Sequence, residues 1–402
     1  MLSDEISCFH EDALPSFTQM PWSLQDVRAS IPPRLFRRST PLSLYFLLRD
    51  ILMAACAWKA AAFIDPLFRH TATLDALTPF GAMCARWACW GVYWWFQSLI
   101  FTGIWVIGHE CGHGAFSDYK LLNDAVGFIT HTLLWTPYFS WKISHHRHRS
   151  NRASTERDEV YVPETRADLG LPPADEAWSA DYDEILGDTP LYTLFMLVRQ
   201  QLVAFPAYLP VLFSVSGQKT YPKSILFTPE QRNAVLSSNA GIGGMIIAVI
   251  SATLARSGRE VLRHSLAVGD ALISVPFIPL LIMITYLYLT TPELLHYRGK
   301  AWNFQRATVD RPFLGWQGRF FLHDVAHFHV VHHFFPNMPF YHGEEATKYL
   351  QGFIGEHYAY SGKPIFKALW ENYNRCQFVE DEGSVLFYRD RQGRAARRAV
   401  RV

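Results

Sequence analysis

The sequence predicts an all-α integral membrane protein, with about four transmembrane helices and a histidine-rich metal-binding cap on one side of them. Three observations carry that expectation. Three windows hold no charged residue and reach the roughly 20 residues that a spanning helix needs. Histidines gather in three short clusters. Of the 402 residues, 50% are hydrophobic, 15% aromatic and only 18% charged, against about 25% charged in an average soluble chain.

Composition also excludes. Lys plus Arg number 37 and Asp plus Glu 36, a formal charge of +1, so no basic excess exists to neutralise phosphates and no nucleic-acid partner is expected. The aromatic content argues against a disordered chain. Cys8, Cys56, Cys84, Cys89, Cys111 and Cys376 form no CxxC pair, which disfavours both a disulfide scaffold and a thiolate zinc site.

Taken in order, residues 1–41 form a polar N-terminal segment with an acidic start (Asp4, Glu5, Glu11, Asp12). It has no secretory signal pattern, so insertion is expected to rely on an internal span. The membrane domain is expected over 42–390. Its first span, 42–64, is apolar but carries Arg49, Asp50 and Lys59. The second, 87–108, opens with Trp87, Trp90, Tyr93, Trp94 and Trp95, the pattern of an interfacial belt. The stretches 125–141 and 191–215 are weaker; the latter contains Arg199, Gln200, Gln201, Pro206 and Pro210, and both are expected to be re-entrant or interfacial. Residues 153–190 are acidic. The windows 233–255 and 271–292 complete the spans as a hairpin. A mixed polar region follows, and residues 391–402 close the chain as an Arg-rich tail. That tail is a solvated end or a weak attraction to anionic headgroups.

Three of the seventeen histidines' groupings carry chemistry. His109 and His113 follow the second span in His109-Glu110-Cys111-Gly112-His113. His145, His146 and His148 lie within Ser144–Arg149. His323, His327, His329, His332, His333 and His342 share one stretch of 20 residues. Residues three and four apart share a helix face, so each cluster can aim two or three imidazoles at one point. Neutral imidazole suits zinc, copper, nickel and iron. The number of histidines exceeds what one tetrahedral zinc uses, and two metals is the natural count. The first cluster also matches the HExxH pattern of zinc proteases, but that reading leaves the other two clusters unexplained. His10, His70, His264 and His357 read as ordinary structural residues.

Ligands must meet, so all three clusters must lie on one side of the membrane. Lys142, Arg147, Arg149, Arg152, Arg298, Lys300 and Arg306 favour the cytosolic side. Arg256, Arg259 and Arg263 on the opposite turn obey the rule only in part.

The chain resembles the membrane-bound fatty acid desaturases, and within them the fungal members of the oleate Δ12/ω-desaturase group. The resemblance rests on the three histidine boxes and their flanks, Phe116–Lys120, Pro137–Lys142 and Met338–His342, with Glu345-Ala346-Thr347 and Trp22–Arg28. It covers roughly residues 20–390. It implies four spans, a cytosolic di-iron site, O2 as oxidant, a fatty acyl substrate, acyl-lipid or acyl-CoA, lying in a bent tunnel, and a place in the endoplasmic reticulum membrane. It implies electrons from cytochrome b5 and its reductase; no His-Pro-Gly-Gly haem motif occurs, so the donor is expected to be a separate protein. Carried over position by position, His109, His113, His145, His148, His329, His332 and His333 would be the catalytic iron ligands, with His296 as a further candidate.

Departures set the alternatives. Arg149 stands where the second box ends in histidine, with His146 as a possible substitute, and Leu289 stands where a further histidine is usual. His327 occupies a place where an acidic or polar residue is common. Arginine stays protonated and cannot ligate a metal. The expected activity is desaturation of the Δ12 type. The alternatives are a specialised acetylenase, hydroxylase or desaturase of a polyketide-type chain in secondary metabolism, and a degenerate, non-catalytic scaffold.

Overall fold

The computed structural model describes residues 16–17, 21–70, 73, 76–173, 189–213, 226–255, 277–302 and 308–399. Outside them fall Arg256, Arg259 and Arg263, the start of the 271–292 window, Asp175 and Glu176 of the acidic stretch, most of the first twenty residues, and Arg401.

The described chain is mostly helical. Helix α1 (Leu24–Ser30) starts at a capping box in which Ser23 and Asp26 satisfy each other's backbone N–H groups. Val27, Ile31 and Leu35 then pack against Val330, Val331, Phe334 and Leu350, so the N-terminal segment covers the third histidine box. Helix α2 (Thr40–Ala61) has Ser39 as its cap and a proline in its first turn. Helix α3 (Pro79–His113) runs for 35 residues and stops at Gly114, whose φ of 68° is the left-handed conformation of a helix C-cap. Helices α4 (Lys120–Leu133) and α5 (Tyr138–Asn151) fold back against the end of α3.

Helices α6 (Pro190–Phe213), α7 (Arg232–Ala255) and α8 (Phe277–Leu289) follow. The 191–215 stretch, expected to be re-entrant or interfacial, is one continuous helix through Pro206 and Pro210 over its described part. Together with 229–252 it is one of two described helices long and apolar enough to cross a membrane. Leu, Val and Phe outnumber its few polar side chains, and a proline removes only one backbone donor from the ladder. Helices α2 and α3 have the length, but the charges of the one and the tryptophans of the other lower their mean hydropathy.

The C-terminal part is built from short pieces: β2 (Leu295–Tyr297) paired antiparallel with β3 (Val385–Phe387), then α9 (Trp316–Phe321), α10 (His329–Phe334), α11 (Gly343–Ile354) and α12 (Ile365–Arg375). A two-residue parallel pair joins β1 (Ser16–Phe17) to β4 (Arg398–Ala399). The main core joins α3 to α8 and to the segment 313–326, through Ile104, Trp105, Leu287, Tyr288, Phe313 and Leu322. Close packing there needs Gly103, because a Cβ on it would lie 2.2 Å from the Phe321 carbonyl oxygen.

Candidate metal centre

The site is built where α3, α5 and α10 meet. Helical spacing of four puts His109 and His113 on one face of the last turn of α3. His145 of α5 faces them. The three Nε2 atoms form a nearly equilateral triangle: 3.1 Å from His109 to His145, 3.3 Å from His113 to His109, and 3.2 Å from His145 to His113. The centre of such a triangle is about 1.8 Å from each nitrogen, just inside the roughly 2.0–2.1 Å of a zinc–imidazole bond. The ligand atoms of His109, His113 and His332 also lie within 4.8 Å of one another.

Aromatic rings wall this group. Trp141 stacks on His145 at 4.6 Å, Trp105 on His109 at 5.7 Å, and His131 lies against both indoles. Glu110 is buried beneath, with Oε1 3.4 Å from His109 Nδ1 and 3.6 Å from His332 Nδ1 and no close hydrogen bond of its own. A carboxylate on the Nδ1 side orients an imidazole so that Nε2 faces a metal.

A second group lies beside the first. Asp158 accepts from His148 Nδ1–H at 2.8 and 2.9 Å, which frees His148 Nε2. His329 gives its Nδ1–H to the Val325 carbonyl, and its Nε2 lies 2.9 Å from His333 Nε2. His296, on β2, is buried against Tyr388 with Nδ1 unpartnered among the described residues. It shares a small cavity with His148, Asp158 and Leu289. Burial holds the imidazoles of His145, His329, His332 and His333 below their ordinary value and that of His296 at about 4, and His148 is held down despite the Asp158 carboxylate. Neutral rings keep the lone pairs that a metal requires. The donor set fits metal ions: convergent Nε2 atoms, carboxylates behind them, and buried polar atoms otherwise without partners.

The structure thus brings together His109, His113, His145 and His332, and next to them His148, His296, His329 and His333. It does not bring in His146. Helix α5 is unbroken through this residue, and a step of one position turns a side chain by about 100°, so His146 is exposed. Of the remaining third-cluster histidines, His323 turns to Asp50 and His327 and His342 stay outside both groups. Sequence reasoning missed Asp158, His131, and the partners of Arg149 and Arg152. Arg149 Nη1 donates to His332 Nε2 at 2.7 Å and to His113 Nε2 at 3.2 Å; Arg152 Nη1 lies 2.6 Å from His333 Nδ1. An acidic residue ten positions after His148 was the one available signal for Asp158.

Convergent, buried, neutral histidines in an apolar helical chain define a membrane-associated metalloenzyme. Comparison with known proteins agrees. The family model for fatty acid desaturases matches residues 85–363. The Δ12 fatty acid desaturase of Mortierella alpina is 37% identical over 94% of this chain and 91% of its own length. The oleoyl-12-hydroxylase of Ricinus communis is 36% identical over 93% and 92%, and the Δ12 acyl-lipid conjugase of Momordica charantia 36% over 90% and 86%. The chain belongs to the fatty acid desaturase family. It is an oxidoreductase of the Δ12-desaturase-like type.

Proposed function

We propose that the enzyme is an O2-dependent di-iron desaturase that places a Δ12-type double bond in a fatty acyl chain within the membrane. The observation that carries this reading is the triangle of Nε2 atoms drawn from two helices. One iron would be held by His109, His113 and His145, with His332 beside it. The other would be held by His148, His296, His329 and His333. Iron bound there supplies, with O2, the oxidising power to take hydrogen from an unactivated methylene.

The chain's own residues do the rest. Asp158 fixes the tautomer of His148, and Glu110 sits behind His109 and His332. Trp105, Trp141 and His131 line the first group and keep bulk water from it. Four spans, α2, α3, α7 and α8, would anchor the domain, with both histidine groups facing the cytosol at the endoplasmic reticulum. Electrons would come from cytochrome b5 and its reductase as separate proteins.

The test is expression in a host without Δ12 activity, fed oleate, with lipids read by mass spectrometry. Linoleate is the expected product. A hydroxylated, acetylenic or conjugated chain would favour the specialised reading, which the hydroxylase and conjugase among the relatives support. An iron-loaded enzyme with no product would favour the scaffold reading, whose support is the presence of Arg149 within the first group.

A further inference from the structure

We infer that Arg149 is a resident cation of the first histidine group and makes that group the weaker of the two metal holders. This rests on the two-metal reading above. The guanidinium is 4% exposed and enters from the same helix as His145. Its Nη1 carries two hydrogens. One points to the His332 lone pair at 2.7 Å and the other to that of His113 at 3.2 Å, while Nη2 donates to the His332 carbonyl oxygen. Those lone pairs are the ones a metal would use, and a guanidinium has none to offer in return.

His332 is held by Arg149 at two points, its ring Nε2 and its carbonyl oxygen, while the Glu110 carboxyl lies 3.6 Å from its Nδ1, beyond hydrogen-bond distance. The first group is left with His109 and His145 as unshared donors, and with His113 only when it gives up its bond to Arg149. A fixed positive charge also stands beside the ion it would share the cage with, which weakens that ion's hold.

The second group differs in degree. Arg152, also buried, meets the one imidazole of His333, with Nη1 2.6 and 3.0 Å from its two ring nitrogens, whereas Arg149 takes two imidazoles; His148 and His329 have each engaged Nδ1, and a carboxylate, Asp158, lies behind His148. Two classes of metal retention follow within one chain, a labile ion in the first group and a retained ion in the second.

The experiment uses the full-length protein in detergent, loaded with Fe(II) without air and then exposed to a chelator, with bound iron followed by elemental analysis. The wild type is expected to lose iron in two phases. Arg149→His, which adds a lone pair where the guanidinium takes one, should slow the fast phase by about tenfold or more. Arg149→Gln, which removes the charge and keeps a donor, should fall between. His109→Ala should delete the fast phase and His148→Ala the slow one. A fast phase unmoved in both Arg149 variants, or one deleted by His148→Ala, overturns the inference. Loss of all iron binding in the wild type and in Arg149→His alike would instead overturn the two-metal reading beneath it.

Discussion

The Asp50 carboxylate accepts from His323 Nε2–H at 2.7 Å, with both residues buried in the apolar packing between α2 and the segment before the third histidine box. Arg49 completes the group, its Nε donating to Asp50 at 2.9 Å and its Nη2 to the Phe320 carbonyl. His323 and Asp324 both have positive φ, 53° and 58°, a left-handed conformation uncommon outside glycine though His and Asp adopt it more often than most. The charged pair in the first span, which in the sequence only blurred its boundaries, thus holds a strained turn six residues before His329.

Removing one partner of a buried pair leaves the other without compensation, at a typical cost of about 3–5 kcal/mol. Asp50→Ala is therefore expected to lower the thermal midpoint in detergent strongly. Asp50→Asn, which keeps an acceptor for His323, should lower it less. Equal midpoints for the two variants would show that the contact with His323 is immaterial.

Gly103 gives a separate handle on the same joint. A Cβ there would meet the Phe321 backbone oxygen, Asp50 Oδ2 and His323 Nε2, the first at 2.2 Å. Since a backbone atom cannot rotate away, Gly103→Ala should destabilise the protein and lower its bound iron. Gly91→Ala, in the same helix with open space at its Cβ, is the control expected to change neither.

Asp158→Asn tests the support behind His148. The carboxylate is buried and engages Nδ1 through both oxygens. Loss of such a partner typically weakens metal binding about 10–100-fold. Chelator competition should show that loss, with the fold unchanged by circular dichroism.

Replacing His109 or His145 by Ala removes a corner of the nitrogen triangle. Product from oleate should fall by on the order of 100-fold or more, and bound iron should fall with it. His146→Ala, at an exposed position, should leave both near wild type.

Asp310 predicts a pH effect away from the spans. Burial pushes its carboxyl up to about 7, although Tyr358 O–H and the Val330 N–H donate to it. The folded state therefore holds a proton that the unfolded state gives up near pH 4, and stability falls as pH rises through the window from about 4 to 7. Asp310→Asn keeps an acceptor for Val330 N–H and has no charge to bury. The slope of thermal midpoint against pH over that window should flatten in the variant.

Much of the site was legible because imidazole spacing is a local property. His109 with His113, and His329 with His332 and His333, follow helical periodicity, and the structure seats them on helices, His332 beside the first pair and His329 with His333 in the adjoining group. What was not legible depends on tertiary contacts. Arg149 and His332 are 183 residues apart, and Asp50 and His323 are 273 apart; neither pairing has a sequence period. His146 could serve as a substitute donor only on a distorted backbone, and α5 is continuous through it. In the 191–215 stretch the prolines and glutamines did not indicate that the helix would run unbroken through Pro206 and Pro210.

One further consequence follows from the nitrogen triangle. Three acceptors held little more than 3 Å apart cannot all present lone pairs inward unless something electron-poor sits among them. A chain without a bound metal ion would relieve that crowding by turning a ring or sharing a proton. Metal supply would thereby become a matter of protein lifetime: if the proposed reading holds, metal-starved cells would be expected to lose the enzyme to proteolysis as well as its activity.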